Sequence, residues 1–244
     1  MMSLSRSYIL KALFFLLILF AEKASADSSY VEVISSYYKK MSEFTSPKEN
    51  RIYYLSYTEE IIPHEDFSSS NKSEVRVYAS ATKLYYYTGV VDLFRDGDDS
   101  FLIVHKEKMI YRSNTVQNEK AADQFSYYLK IQDKFFKEGK VLLSEKIKLN
   151  GKNIARVTIQ VPSNLDPRLK IIRTTYWYDL DAKKLWKTKV DYDESYQIKS
   201  RVTTYHELDL EYKKKLKKPV FKVVVDRKGK LVAPYETYTL VENK

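Results

Sequence analysis

Apolar residues recur at three- and four-residue intervals from Tyr30 through Val33, Ile34, Tyr37, Tyr38 and Met41 to Phe44, which is the spacing of one face of a helix. Ser29 and Glu32 form a capping box at its start, and Pro47 stops it. From Arg51 the period changes to two: Tyr53, Leu55 and Tyr57 alternate with Tyr54, Ser56 and Thr58, as in a half-buried strand. Further strands are predicted at 74–79, 83–88, 90–95, 100–106 and 109–112, with Gly89 and the run Asp96-Gly97-Asp98-Asp99 supplying turns. A second helical stretch is capped by Asn118 and stopped at Gly139, with Ala121, Ala122, Phe125, Tyr128, Leu129, Phe135 and Phe136 on its apolar face. Strands then resume at 141–149, 154–161, 170–178, 184–192, 197–210, 220–226 and 230–241, the first two joined by an Asn150-Gly151 hairpin turn.

This succession predicts an α+β fold: an open, strongly curved antiparallel sheet of about a dozen strands, an unclosed barrel, with an N-terminal helix and central helices covering its concave face. The runs Tyr85-Tyr86-Tyr87 and Tyr176-Trp177-Tyr178 place aromatics on both faces of their strands, of which at most one is expected to be core.

The first 26 residues change the compartment. Arg6 and Lys11 precede a nine-residue apolar run, 12–20, and Ala24-Ser25-Ala26 follows, the layout of a cleavable export signal. The run is too short to span a bilayer, so cleavage after Ala26 is expected, leaving 27–244 as one soluble domain. With no cysteine in 244 residues, neither disulfides nor a lipidated N-terminal cysteine enters, and the compartment is read as the periplasm. Five scattered glycines exclude the phosphate-cradling and nucleophile-elbow motifs.

The net charge of +10 is concentrated. Residues 211–230 hold nine Lys and Arg against Glu211 and Asp226. Lys213, Lys214, Lys215, Lys217 and Lys218, ahead of Pro219, form either a solvated loop feeding an edge strand or a docking surface for an anionic membrane or an acidic envelope protein. Export leaves nucleic acid out of reach.

Candidate chemistry is sparse. His64, His105 and His206 are scattered, and His206-Glu207 begins an H-E-x-x-H pattern that fails at Leu210. In a strand, His206 shares a face with Val202, Thr204 and Leu208 as a satisfied histidine. The Asp96–Asp99 run lacks the ligand spacing of a calcium loop, and Asp191, Asp193 and Glu194 read as turn carboxylates. No metal, no cofactor and no catalytic residue is expected, and a hydrolase is disfavoured. The 22 tyrosines suit strands wetted on one face and cavities that contact amphiphiles.

The order of signal, amphipathic helix, long strands, mid-chain helices and hairpins such as the 174–192 segment TTYWYDLDAKKLWKTKVDY resembles the periplasmic lipoprotein-carrier superfamily of LolA and LolB and its outer-membrane lipoprotein-sorting relatives. That resemblance implies an unclosed barrel lidded by helices, and a monomeric carrier of lipid or lipoprotein acyl chains. The apolar positions taken as lining such a cavity are Tyr53, Leu55, Tyr57, Val77, Phe125, Tyr128, Leu129, Tyr176 and Trp186. The alternative is a non-enzymatic envelope interaction protein whose sheet is filled by its own side chains and whose basic segment docks a partner.

Overall fold

The computed structural model describes residues 28–45, 47–64, 71–97, 99–114, 131–162, 167–213 and 221–242. Helix α1 (Ser28–Met41) runs into a 3-10 turn, Ser42–Thr45. Six strands follow: β1 (Tyr53–Pro63), β2 (Asn71–Ala79), β3 (Lys83–Tyr87), β4 (Val91–Asp96), β5 (Asp99–Val104) and β6 (Met109–Asn114). After helix α2 (131–138) come β7 (Lys140–Leu149), β8 (Lys152–Gln160), β9 (Ile171–Asp179), β10 (Lys184–Tyr192) and β11 (Ile198–Asp209). A helical turn α3 (Phe221–Val224) and β12 (Thr239–Glu242) close the described chain.

The strands form a single 12-stranded sheet in the order β12-β6-β5-β4-β3-β2-β1-β11-β10-β9-β8-β7. The sheet is open, with β7 and β12 at opposite edges. Every pairing is antiparallel except β12 with β6, which is parallel, so the expected antiparallel sheet is mixed at one edge. Chain reversal between 150 and 151 is the predicted hairpin: Asn150 and Gly151 have φ of 50° and 79°, the paired positive angles of a tight two-residue turn. Gly139 stops α2 for a different reason. Its N–H donates to the Phe135 carbonyl, and a Cβ there would lie 2.4 Å from Ile159 Cγ2, so only glycine lets the chain leave the helix this close to β8.

Period-two alternation divides the side chains between a helix side, where α1 packs, and an outer side. On the helix side of β8–β10, Ile34 and Tyr38 of α1 and Ile131 and Phe135 of α2 bury Ala155, Val157, Ile159, Tyr176, Tyr178 and Leu185. A second cluster continues across β1 and β2, where Met41 and Phe44 cover Tyr53, Leu55, Val75, Val77 and Ala79. The third cluster lies on the opposite face. Tyr85, Phe94, Phe101, Ile103 and Ile110 of β3–β6 point outward and are buried by Val224, Val225 and Tyr235 of the C-terminal segment.

Two sequence expectations are corrected by this third cluster. Of the strands expected at 220–226 and 230–241, only the end of the second forms: among the described residues, 221–224 form α3, Val225 and Leu231 make one isolated bridge, and Thr239–Glu242 joins the sheet. Their apolar residues are spent covering Phe94 and Phe101 rather than extending a hairpin. Both faces of the Tyr85-Tyr86-Tyr87 run also carry core, since Tyr85 is buried outward while Tyr86 packs on the helix-side cluster. The 176–178 run follows the simpler expectation, with Tyr176 and Tyr178 buried and Trp177 on the outer face under Lys187.

Candidate functional site

Strand register assembles one continuous apolar row on the helix side. Leu208 of β11 lies opposite Leu55 of β1, then Val77 of β2, Tyr86 of β3, Leu93 of β4, Leu102 of β5, Tyr111 of β6 and Val241 of β12. Direct cross-strand neighbours share a face and touch, so these eight residues form a strip rather than a scatter. Its inner end, Leu55 and Val77, is buried beneath Met41 and Phe44. Among the described residues its outer part belongs to none of the three buried clusters: Leu93 and Tyr111 are half-buried and Leu102 is 39% exposed. Val91, Val104 and Met109, one pleat along, are half-buried on the same face. At a strand spacing of ~4.8 Å, the strip from Tyr86 to Tyr111 is about 14 Å long.

At the Tyr86 end the strip meets polar groups. The Tyr57 and Tyr86 hydroxyls are hydrogen-bonded to each other, and burial, joined by the neighbouring phenol and Glu59, pushes the Tyr57 phenol well above its ordinary value. Burial likewise raises Tyr86, partly opposed by its hydrogen bond to Tyr57. Glu59 and Arg201 form an ion pair at 3.5 Å on the same face.

The residues chosen from sequence separate into groups. Tyr53, Leu55, Val77 and Tyr176 do share the helix side, but their space is taken by the protein's own side chains: the Phe44 and Tyr53 rings lie 5.9 Å apart, the Tyr38 and Tyr176 rings 5.7 Å. The Tyr176 hydroxyl donates to Gln132 Oε1 at 2.8 Å, so this part of the interior is satisfied as well as filled. Tyr57 is brought to the edge of the strip. Trp186 is half-buried at a register shift between Leu185 and Lys187, which takes it out of simple alternation. Phe125, Tyr128 and Leu129 lie outside the described residues, as do Lys214, Lys215, Lys217 and Lys218; Lys213 is exposed. Leu93, Leu102 and Tyr111 were missed. Their signal was available as alternation in β4–β6, but which of two apolar faces stays uncovered depends on where the C-terminal segment packs.

Two of the three histidines, His105 and His206, hold structural partners. His105 bridges Asp92 Oδ2 at 2.8 Å and the Tyr238 hydroxyl at 3.0 Å, tying the C-terminal segment to β4 and β5. His206 corrects an expectation. The β1–β11 register skips it, pairing Glu207 with Ser56 and Tyr205 with Tyr57, so Leu208 faces the helix side while Thr204 and Val202 face outward. His206 itself is exposed, with Nε2 2.7 Å from Thr58 Oγ1. Asp96–Asp99 is the β4–β5 turn, and its carboxylates pair with Lys83 and Arg112. Burial works against ionised Asp191, yet hydrogen bonds from Lys189 and Arg173 hold its carboxyl below the usual range, as befits a structural ion pair. Among the described residues no three His, Asp or Glu cluster as a metal site, and no helix is long and apolar enough to cross a membrane. A shallow open cleft of about 560 Å³ lies beside α1, lined by Glu32, Val33, Tyr37, Lys40, Tyr178 and Lys183.

No family model and no curated protein matches the chain. Solved structures with a similar arrangement include the Mycobacterium tuberculosis lipoprotein LppX, at 13% identity and a TM-score of 0.45, covering 75% of this chain and 96% of that one. An uncharacterized conserved protein of Thermus thermophilus matches at 7% identity and a TM-score of 0.41, over 88% of this chain and 99% of that one. A LolA superfamily protein of Nitrosomonas europaea matches at 8% identity and a TM-score of 0.28, over 72% and 93%. The carrier superfamily that the order of elements resembles is thus represented among these structures.

Proposed function

We propose that the chain is a non-enzymatic binding or carrier protein for a lipid or lipidated ligand, exported to the periplasm, whose acyl part lies along the strip from Tyr86 to Tyr111. The observation that carries this reading is the cross-strand apolar row that leaves the shelter of α1 and continues, half-covered, across β3–β6. An apolar strip about 14 Å long beside hydroxyl groups gives an acyl chain a place to lose its water and a polar end a place to stop.

The test is displacement of a fluorescent fatty probe from the chain lacking residues 1–26. Palmitate should displace it, and Leu102→Glu should weaken binding about tenfold or more, because a charge replaces a contact worth ~1.5–3 kcal/mol. Leu102 is 39% exposed, so this substitution leaves the fold standing. Absence of any probe or palmitate binding by the wild-type chain sinks the reading.

A second reading has its own support in the filled interior around Tyr53 and Tyr176. In it the chain is an interaction protein that docks an anionic membrane through Lys213 and the four lysines after it. Replacing all five with Ser should abolish salt-sensitive binding to anionic vesicles, and unaltered binding overturns it.

A further inference from the structure

The helix side changes character at one end of the strip. Glu59 and Arg201 sit diagonally across the β1–β11 pair, Arg201 Nε 3.5 Å from Glu59 Oε1, with side chains 27% and 39% exposed. Thr203 stands directly opposite Glu59, and Ile61 directly opposite Arg201. The phenols of Tyr57 and Tyr86 are close enough to Glu59 for its charge to act on both, and Tyr192 feels both Arg201 and Glu59. Tyr86 belongs to the strip and to this ring of hydroxyls alike, which makes the two continuous.

Two other ion pairs of the sheet differ in setting. Arg173–Asp191 and Arg156–Glu145, though similarly exposed, lie on the outer face, away from the apolar row. Glu59–Arg201 lies on the face where α1 packs, with Tyr57 half-buried beside it and an apolar row at its flank. Two opposite charges 3.5 Å apart in such partly dry surroundings make a strong local dipole with no net charge. A guest of net charge is drawn to one pole and repelled by the other. A guest that is itself a dipole gains from both.

We propose that the Glu59–Arg201 pair is the head-group subsite of the strip, selective for an amphiphile with a zwitterionic head, its anionic oxygen toward Arg201 and its ammonium toward Glu59. This rests on the acyl-binding reading of the strip and adds the class of head that accompanies the chain. The surrounding hydroxyls of Tyr57, Tyr86 and Tyr192 serve as neutral donors and acceptors for either pole, because burial keeps them protonated.

The experiment uses the chain lacking residues 1–26, uncharged N-phenylnaphthylamine as reporter, and three competitors of matched chain length: palmitoyl lysophosphatidylethanolamine, palmityl phosphate and palmityl ammonium. Wild type should bind the zwitterion about tenfold more tightly than either charged competitor. Glu59→Gln should move the preference to palmityl phosphate and Arg201→Gln to palmityl ammonium, while the double substitution should bind all three alike. Thermal melting accompanies each variant. If Arg201→Gln fails to fold, Glu59→Gln, a near-isosteric change, carries the test alone. Unchanged head preference across folded variants, or no preference in wild type, overturns the subsite and leaves the strip intact. Failure of every competitor and of the reporter to bind wild type overturns the strip reading itself.

Discussion

The two halves of the sheet bury opposite faces. In β7–β10 the helix side is core, covered by α1 and α2, and the outer side is a polar lattice: Arg156 pairs with Glu145, Arg173 and Lys189 with Asp191, and the Thr158 and Thr175 hydroxyls meet at 3.0 Å. In β3–β6 the outer side is core, covered by α3 and the chain up to Tyr238, while on the helix side Leu93, Leu102 and Tyr111 belong to no buried cluster among the described residues. The inversion shows how one sheet can be both stable and receptive. A strand half needs one well-packed face to hold its place, and once the C-terminal segment supplies that face from outside, the other is free to be apolar without being filled.

Removing residues 221–244 should be the most damaging change, because it strips Phe94, Phe101, Ile103 and Ile110, all fully buried, of their cover at once. At ~1.5–3 kcal/mol per large side chain, the loss is comparable with the whole ~5–15 kcal/mol stability of a domain. The truncated chain should lose its cooperative melt and aggregate. If it melts within a few degrees of the full chain, the outer cluster is not a core and the comparison fails.

Matched deletions sharpen the contrast. Phe94→Ala in the outer cluster and Phe135→Ala in the helix-side cluster should each cost about 3–5 kcal/mol, since both rings are fully buried. Amide exchange distinguishes the halves. Phe94→Ala should deprotect β3–β6 more than β8–β10, and Phe135→Ala the reverse. Equal deprotection everywhere would mean that the halves share a single cooperative unit. Raising the pH tests both halves together. Unfolded tyrosines ionise near 10, but burial, aided by the Tyr205 and Tyr178 phenols and only partly opposed by a backbone hydrogen bond, pushes Tyr37 up to about 12. Burial also raises Tyr57 on the helix side and Tyr85 and Tyr235 in the outer cluster. Raised folded values contribute stability that is whole below pH ~10 and lost as pH climbs through them, so urea midpoints should hold up to about pH 10 and fall steeply between about pH 10 and pH 12.

Much of this was legible in the chain. The strands from β1 to β11 follow period-two alternation, and Tyr30 to Phe44 read as helix because their apolar stripe repeats every three or four residues. Three things were hidden for physical reasons. The 220–226 stretch is as β-branched as a strand, yet Val223, Val224 and Val225 pack on the cluster of Phe94 and Phe101 instead of extending a hairpin, which is tertiary context overriding propensity. The bulge at His206 inverts the phase of β11, and no local pattern announces it. The strip was invisible as a strip because its members are 7 to 9 residues apart in β3–β6 and meet only through register. Of the residues picked from sequence, Tyr53, Leu55, Tyr57, Val77 and Tyr176 share the helix side, but alternation alone does not tell a liner from a filler.

A smaller effect is expected where the chain leaves α2. Gly139→Ala places a methyl 2.4 Å from both Ile159 Cγ2 and the Phe135 carbonyl, so β8 or the helix end must shift, at a cost of about 1–3 kcal/mol by overpacking. Urea unfolding measures it. A loss below about half a kcal/mol would mean that the α2–β8 contact is soft and the helix-side core less tightly fitted than the comparison requires.

The finest comparison deletes one hydroxyl from each half. Tyr176→Phe on the helix side removes the donor to Gln132, whose side chain is buried and out of reach of water, so the orphaned amide oxygen keeps its full desolvation penalty of about 1–3 kcal/mol. Tyr238→Phe on the outer side removes the hydroxyl partner of His105 Nδ1, but His105 is only half-buried and its other nitrogen still holds Asp92, so water replaces the lost partner. The ring contact of Tyr238 with Tyr235, 5.5 Å between centroids, survives the substitution. Its cost should therefore stay near ~0.5–1 kcal/mol, below that of Tyr176→Phe. Paired urea midpoints decide the order. If Tyr238→Phe proves the costlier, His105 is the true latch of the C-terminal segment, and the outer half owes its hold to that hydrogen-bonded chain more than to the apolar burial of Val224, Val225 and Tyr235.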